Sequence, residues 1–373
     1  MHVLFLEPFD AGSHTYFLDT LTAGLEAEFG VRATVLRMPG RHWKWRMRGA
    51  VVWLREHHDA ELRAAYDLVF CSSYLALAEL VGFYPELGRV PRVLYFHENQ
   101  LAYPQRVPDP NGRDLHFAFT QLTSALAASC CVFNSDYNRT SFLDGGVALL
   151  RRMPDARPTR WIEEIRGRSR VLGLPLDLGP VPRPEPRRAG GGGPVILWNH
   201  RWEHDKNPAE LFGVLGEMAA DGVPFRLLVC GQAFGDVPPE FALGRTRLAH
   251  RIEHWGFVAD RAHYHALLRR ADLAVSTAVH EFFGVAMLEA TWAGARPLVP
   301  DRLVYPELFP PEFRYTDLRA ALEPLCLEFA SGARELRGDR ERLVAGHRKE
   351  AVLPRYHALF TSLVEGAPLP SGG

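Results

Sequence analysis

The segment Asp177–Pro194 (DLGPVPRPEPRRAGGGGP) holds five prolines and five glycines in 18 residues. Proline brings no amide hydrogen to a helix or a central strand, and glycine loses the most conformational freedom on ordering. No regular element can run through this stretch, so the chain on either side must fold around its own core. At 373 residues there is material for two cores, since a single one rarely grows past about 250–300 residues. The expected organisation is a first domain over residues 1–176, a linker over 177–194, a second domain over 195–350, and a C-terminal helix and tail over 351–373.

The two sides share one grammar. Before the linker, apolar runs at His2–Glu7, Val31–Met38, Leu68–Cys71, Arg92–His97 and Cys130–Asn134 read as strands. They alternate with helical periodicity at Thr15–Phe29 and Leu115–Ala128. After it, strands are expected at Val195–Trp198, Phe225–Cys230, Ile252–Phe257, Leu273–Thr277 and Pro297–Val299, with helices at Pro208–Ala220, His263–Arg270 and Val285–Ala293. Strand and helix in alternation give the α/β class: two Rossmann-like domains with parallel sheets, and ligands expected in an interdomain cleft at the strands' carboxyl ends. Helical stretches over 321–365 are free to join either domain.

A formal net charge of −1 excludes a chain that coats nucleic acid by bulk charge, while leaving room for a local basic patch. Lys44, Lys206 and Lys349 are the only lysines among 43 basic residues, so a lysine carries more weight here than an arginine cluster. Cys71, Cys130, Cys131, Cys230 and Cys326 lack metal-ligand spacing and read as buried thiols. The opening MHVLFLEPF has no basic region ahead of its apolar run, and no stretch reaches the roughly 18 apolar residues of a membrane helix. A cytoplasmic protein with no membrane association is expected.

The strongest chemical motif is His280–Glu289, HEFFGVAMLE, directly after the strand LAVST. Glu281-x7-Glu289 places one carboxylate in a loop and the other two turns into a helix. Amides around Gly284 and Val285 would start that helix without intrahelical partners and face an anion. Carboxylates accept two hydroxyl hydrogen bonds at once, which suits a sugar and a ribose. The competing reading is a solvent-facing glutamate pair.

In His200–Asn207, HRWEHDKN, Arg201 and Lys206 offer a planar fork and a point charge to phosphate oxygens. Fixed cations lower the barrier for a leaving nucleoside diphosphate. Alternatively they pair internally with Glu203 and Asp205. At the end of the first strand, Gly12, Ser13 and His14 can cradle a phosphate or a sugar, without a GxGxxG or Walker sequence. RVLYFHENQ sets His97 at a strand's carboxyl end, where it can orient a sugar, handle a proton, or serve only as a structural hydrogen-bonder. Arg41–Arg48, RHWKWRMR, interleaves cations with Trp43 and Trp45. It reads either as an RNA contact or as an amphipathic piece with tryptophans inside and arginines outside. Arg151–Arg170 is also basic but carries Glu163 and Glu164, as a solvated face would. No Asp-x-Asp occurs.

The blocks LEPFDAGSH, MPGRHWKWRMR, LYFHENQLAYP, CVFNSDYNRTSFL, LWNHRWEHDKNP, HWGF, STAVHEFFGVAMLEA and LVYPELFP run from about residue 6 to 310. Together they resemble the tRNA-queuosine α-mannosyltransferase family, in the glycogen-synthase-like branch of the retaining GT-B glycosyltransferases. The resemblance implies a GT-B fold with a tRNA acceptor domain ahead of the linker and a nucleotide-sugar donor domain after it. It implies transfer of mannose from GDP-mannose to queuosine in the anticodon of tRNA-Asp, with retention by front-face attack. By carry-over, Arg201 and Lys206 hold the diphosphate, Glu289 the ribose and Glu281 the hexose; Glu281 and the strand-end His97 are the candidate catalytic residues. Phe283, Gly284 and Val285 lie at the phosphates, His254 and Gly256 near the base, Gly231 in the loop beside the nucleotide, and Gly12, Ser13 and His14 on the donor. Arg41, Trp43, Lys44, Trp45 and Arg46 would meet the tRNA. Two fixed cations make a metal unnecessary, and no cofactor is implied. The alternative is a GT-B enzyme using another nucleotide sugar on a glycan or small molecule.

Overall fold

The computed structural model describes residues 1–102, 115–158, 160–179, 193–233, 235, 237–333 and 339–369. Residues 180–192 of the expected linker lie outside the described residues, as do Tyr103 and Pro104 of the LYFHENQLAYP block. The chain divides into two compact units, Met1–Asp177 together with His347–Gly373, and Leu178–Gly346.

The first unit is built on strands β1 (His2–Asp10), β2 (Arg32–Pro39), β3 (Leu68–Ser72), β4 (Arg92–Phe96), β5 (Cys130–Phe133) and β6 (Ser169–Val171). They form one parallel sheet in the order β2-β1-β3-β4-β5-β6. β3 and β5 are buried at every residue, which is why they read as unbroken apolar runs rather than alternating ones. Leu4, Leu6, Val69, Cys71 and Leu94 pack on one face with Leu54, Leu122 and Phe142 from helices. Phe5, Phe70 and Tyr95 pack on the other with Phe17, Tyr356 and Phe360.

The second unit repeats the plan with β7 (Val195–Asn199), β8 (Arg226–Cys230), β9 (Ile252–Gly256), β10 (Leu273–Val275), β11 (Arg296–Pro300) and β12 (Arg314–Tyr315). Its parallel order is β12-β11-β10-β7-β8-β9. In each sheet the order reverses once, between β1 and β3 in the first and between β7 and β10 in the second. Loops leaving the carboxyl ends of two such neighbours diverge to opposite faces and open a crevice, where open α/β sheets bind ligands.

The last helix, Lys349–Glu365, belongs to the first unit, a placement the sequence left open. It lies so close to the Ser13–Phe29 helix that a Cβ on Gly24 would stand 2.3 Å from Leu353 Cδ1. The Tyr356 hydroxyl donates to the Leu172 and Gly173 carbonyls, both at 3.1 Å. The second unit therefore ends at Gly346, just short of the expected residue 350. The helices Trp43–His57 and Asp136–Arg151 also went unread, each masked by charged residues that interrupt the apolar period.

All five cysteines are buried and unpaired with one another, and burial pushes their thiols above the ordinary range. No described helix is long and apolar enough to cross a membrane.

Candidate active site

In the second unit the crevice between β7 and β10 gathers the two strongest motifs. After β7 the chain passes His200 and Arg201 into a turn of 3-10 helix, His204–Lys206. Asn207, at φ 51°, then turns it into the Pro208–Ala220 helix. That turn sends Lys206 inward, to 6 % exposure. Its ammonium donates to the His280 carbonyl at 2.8 Å and to Glu281 Oε2 at 3.3 Å, and pairs with Asp205 Oδ2 at 3.2 Å. The Lys206 carbonyl accepts from the Thr277 hydroxyl at 2.7 Å, and Thr277 in turn accepts from Trp198 Nε1 at 3.2 Å. Burial works against the charge on Lys206, but Glu281 and Asp205 outweigh it and raise its pKa.

Glu281 sits opposite. Its Oε1 accepts the amides of Phe282, Phe283 and Gly284 at 3.2, 3.3 and 3.1 Å. Burial alone would raise its pKa, yet the Lys206 charge and those amides bring it down to about 2. Glu281 is thus an ionised, fully tethered carboxylate. The Gly284 amide, expected to face a phosphate, is taken by Glu281, because the residues before the helix fold back over it. Gly284 has φ 82° and caps the Val285–Trp292 helix. Glu289 lies one turn into that helix, not two, and is partly buried rather than solvent-facing. Its Oε2 accepts the Tyr264 hydroxyl at 3.3 Å, and Tyr264 accepts from Asn199 Nδ2 at 3.0 Å. Burial raises Glu289 to about 7, against the pull of Arg261 and the Tyr264 hydroxyl.

The other expected positions flank this pair. Arg201 is half exposed and lies 3.4 Å from Glu203, so the two cations of the motif are not equivalent. His200 is buried beside Lys206 and is lowered to about 4, chiefly by desolvation. Gly231 is required because a Cβ there would fall 1.9 Å from the His200 carbonyl oxygen. His254 reaches back to the Gly256 carbonyl at 3.1 Å, and that carbonyl also accepts the Gly231 amide at 3.2 Å. Sequence reasoning passed over Asn199, Tyr264 and His280, which help hold the glutamates and the lysine in place, whereas Asp205 and Glu203 are the internal partners it offered as the alternative for Lys206 and Arg201. Tyr264 sits in an ordinary amphipathic helix and gives no signal of its own.

In the first unit, Gly12 and Ser13 are exposed at the start of the Ser13–Phe29 helix, while His14 is buried. His97 follows β4 and is buried against His14, the two rings stacking at 3.8 Å. Glu7 of β1 completes this cluster, with Oε2 at 3.3 Å from His14 Nδ1 and 3.9 Å from His97 Nε2. Three ligand atoms this close could suggest a metal centre. The stacking argues otherwise, because imidazole lone pairs lie in the ring planes and planes inclined by only 28° do not meet on one ion at coordination distance.

The Arg41–Arg48 segment enters the Trp43–His57 helix at residue 43 and follows neither expected pattern fully. Arg46 is buried and donates from Nε to the Pro39 carbonyl at 3.0 Å, so it faces inward. Trp43 packs on Phe117 at 5.2 Å, whereas Trp45 is 62 % exposed. Arg41, Lys44 and Arg48 face solvent. Within Arg151–Arg170, the Arg160–Gly167 helix buries Ile162 and Ile165 and turns its charged face to solvent, with Arg166 near Glu163 and Arg168 near Glu164.

Residues 2–176 match the family described as tRNA-queuosine alpha-mannosyltransferase N-terminal, and residues 184–314 match glycosyl transferases group 1. A Drosophila melanogaster tRNA-queuosine alpha-mannosyltransferase is 34 % identical over 374 residues, covering 96 % of each chain. Among solved structures, a sucrose-phosphate synthase from Thermosynechococcus elongatus superposes with a TM-score of 0.74 at 16 % identity, over 98 % of this chain and all of that one. The N-terminal domain of a Candida albicans trehalose-6-phosphate phosphatase gives 0.66 at 11 % identity, over 97 % of each. The fold is GT-B, an α/β architecture of two Rossmann-like units.

Proposed function

The chain belongs to the tRNA-queuosine alpha-mannosyltransferase family of glycosyltransferases, and we propose that it transfers mannose from GDP-mannose to queuosine in the anticodon of tRNA-Asp, with retention and without a metal. The near-full-length relationship to a protein of that name carries the acceptor half of this reading. The pair of buried Lys206 and partly buried Glu281 supports the donor half. Lys206 and the half-exposed Arg201 are the cations for the diphosphate, Glu281 binds the hexose, and Glu289 the ribose diol.

The leaving diphosphate gains charge in the transition state, and a preorganised buried ammonium stabilises that charge better than the bound donor. Glu281 is held by a cation and three amides, so it orients the sugar and is poorly placed to attack it. Front-face attack then needs only a base at the acceptor hydroxyl, which the departing phosphate oxygen supplies. Buried free thiols and a tRNA acceptor fit a cytoplasmic setting.

Labelled GDP-mannose incubated with tRNA carrying or lacking queuosine tests the reading directly. Label is expected only on the queuosine-containing tRNA; equal label on both, or on neither, removes the acceptor half. Donor binding should also depend on pH through Glu289. Its carboxyl is protonated below about 7, and a neutral carboxyl cannot accept two ribose hydroxyls as a carboxylate does. Nucleotide affinity by calorimetry should therefore rise as pH passes up through 7. Glu289→Gln should flatten this dependence and weaken binding; an unchanged profile would remove Glu289 from the ribose site.

The solvent-facing Arg41, Lys44 and Trp45 are the RNA contacts in this reading, with Arg46 holding the helix start. Replacing Arg41 and Lys44 by Ala should weaken tRNA binding and lower the slope of log K against log salt by about 1 for each lost phosphate contact. Arg46→Ala should instead lower stability with little change in that slope.

A further inference from the structure

The Glu7–His14–His97 cluster makes a statement about protons. The Ser72 hydroxyl and the Phe9 amide each donate to Glu7 Oε1 at 2.9 Å, which fixes the carboxylate and turns Oε2 towards both histidines. Neither His14 Nδ1 nor His97 Nε2 makes a hydrogen bond within the described residues, and all three side chains are at most 7 % exposed. Two imidazolium rings stacked at 3.8 Å in such surroundings would repel strongly, so the pair carries one positive charge at most.

The nearer ring has the stronger claim to it. Burial works against a charge on His14, but Glu7, with Glu98 and Asp10 beyond it, raises its pKa. Burial and the charge on His14 drive His97 well below the usual histidine range. The other titratable groups at the pair are phenols. Tyr74 is edge-on to His14 and bonded to Glu98, and Tyr95 is edge-on to His97 with its own pKa raised by burial. The negative charge of Glu7 Oε2, 3.9 Å from Nε2 of a neutral His97, also favours the tautomer with its hydrogen on that nitrogen, leaving Nδ1 as the lone-pair atom.

We propose that Glu7 is a positioning residue that keeps the pair's single positive charge on His14 and holds His97 as the neutral Nε2–H tautomer, ready to accept a hydrogen bond from a substrate hydroxyl at Nδ1. His14 is then a hydrogen-bond donor and His97 an acceptor, a complementary pair for the adjacent hydroxyls of a diol or sugar. The functional part rests on the transfer reading above; the proton assignment does not.

The test uses the full chain labelled with 15N-histidine, its ring nitrogens followed from pH 6 to 9, with assignments from His14→Asn and His97→Asn. The wild type should show one buried imidazolium that deprotonates above the ordinary histidine range and one neutral Nε2–H ring throughout. Glu7→Gln should lose the imidazolium at pH 7, and Glu7→Asp should retain it. In the transfer assay, Glu7→Gln should lower kcat about 100-fold and change its pH profile, with Glu7→Asp recovering much of the rate and the donor KM little changed. Two neutral rings in the wild type at pH 6.5, or an imidazolium that survives Glu7→Gln, would overturn the assignment. Expected spectra without transfer to queuosine-containing tRNA would defeat the transfer reading and leave the proton assignment standing.

Discussion

Lys206→Ala is expected to lower kcat/KM by about 1000-fold, the upper end of what one preorganised charge-stabilising group contributes, and to destabilise the second unit as well. Lys206 is the cation between Asp205 and Glu281, at 3.2 and 3.3 Å. Without it two partly buried carboxylates face each other, and removing one member of a fully buried ion pair costs about 3–5 kcal/mol, an upper bound here because Asp205 and Glu281 keep some contact with solvent. Burial would then push Glu281 upward, and a protonated Glu281 would bind the hexose differently. Thermal melting separates the two effects, since the catalytic loss should persist well below the lowered Tm. Arg201→Ala should do much less, because its guanidinium is half exposed and screened by solvent. A Lys206→Ala enzyme no worse than Arg201→Ala would contradict the assignment of the diphosphate to the buried cation.

The second large effect is structural. Deleting residues 349–373 should abolish soluble folding of the first unit, even though the segment is about 170 residues from the rest of that unit in sequence. The helix it removes buries Val352, Leu353, Tyr356, Leu359 and Phe360. At roughly 1.5–3 kcal/mol for each large apolar side chain, the loss is on the order of 10 kcal/mol, comparable to the whole stability of a domain. Soluble yield and the melting profile report it. A truncated chain that melts like the parent would mean the helix adds nothing to the core.

Much of this protein is legible without its structure. The central strands could be read because strands buried on both faces are short continuous apolar runs, as at Leu68–Ser72 and Val195–Asn199. The helix Pro208–Ala220 begins and ends where its periodicity says. The helix Trp43–His57 was harder, since its residues read equally as an RNA-binding stretch or an amphipathic one. Which of its cations turns inward depends on helix phase against β1 and the Leu115–Ala127 helix. The answer, Arg46 in and Trp45 out, is a packing outcome.

The linker and the repeated strand–helix order determined by themselves that there are two units with parallel sheets, because backbone chemistry forbids a regular element through five prolines and five glycines. Motif spacing singled out Lys206, Glu281 and Glu289, because loops at strand ends are where such sheets keep chemistry. Only the tertiary structure decided which charges meet. Lys206 and Glu281 are 75 residues apart and Glu7 and His97 are 90 apart, and sheet order brings each pair together. The ionised Glu281, the near-neutral-pH Glu289 and the single positive charge proposed for the stacked histidines follow from burial and distance. Those quantities exist only once the chain is folded, since an unfolded chain leaves each group in water and screened from its partner.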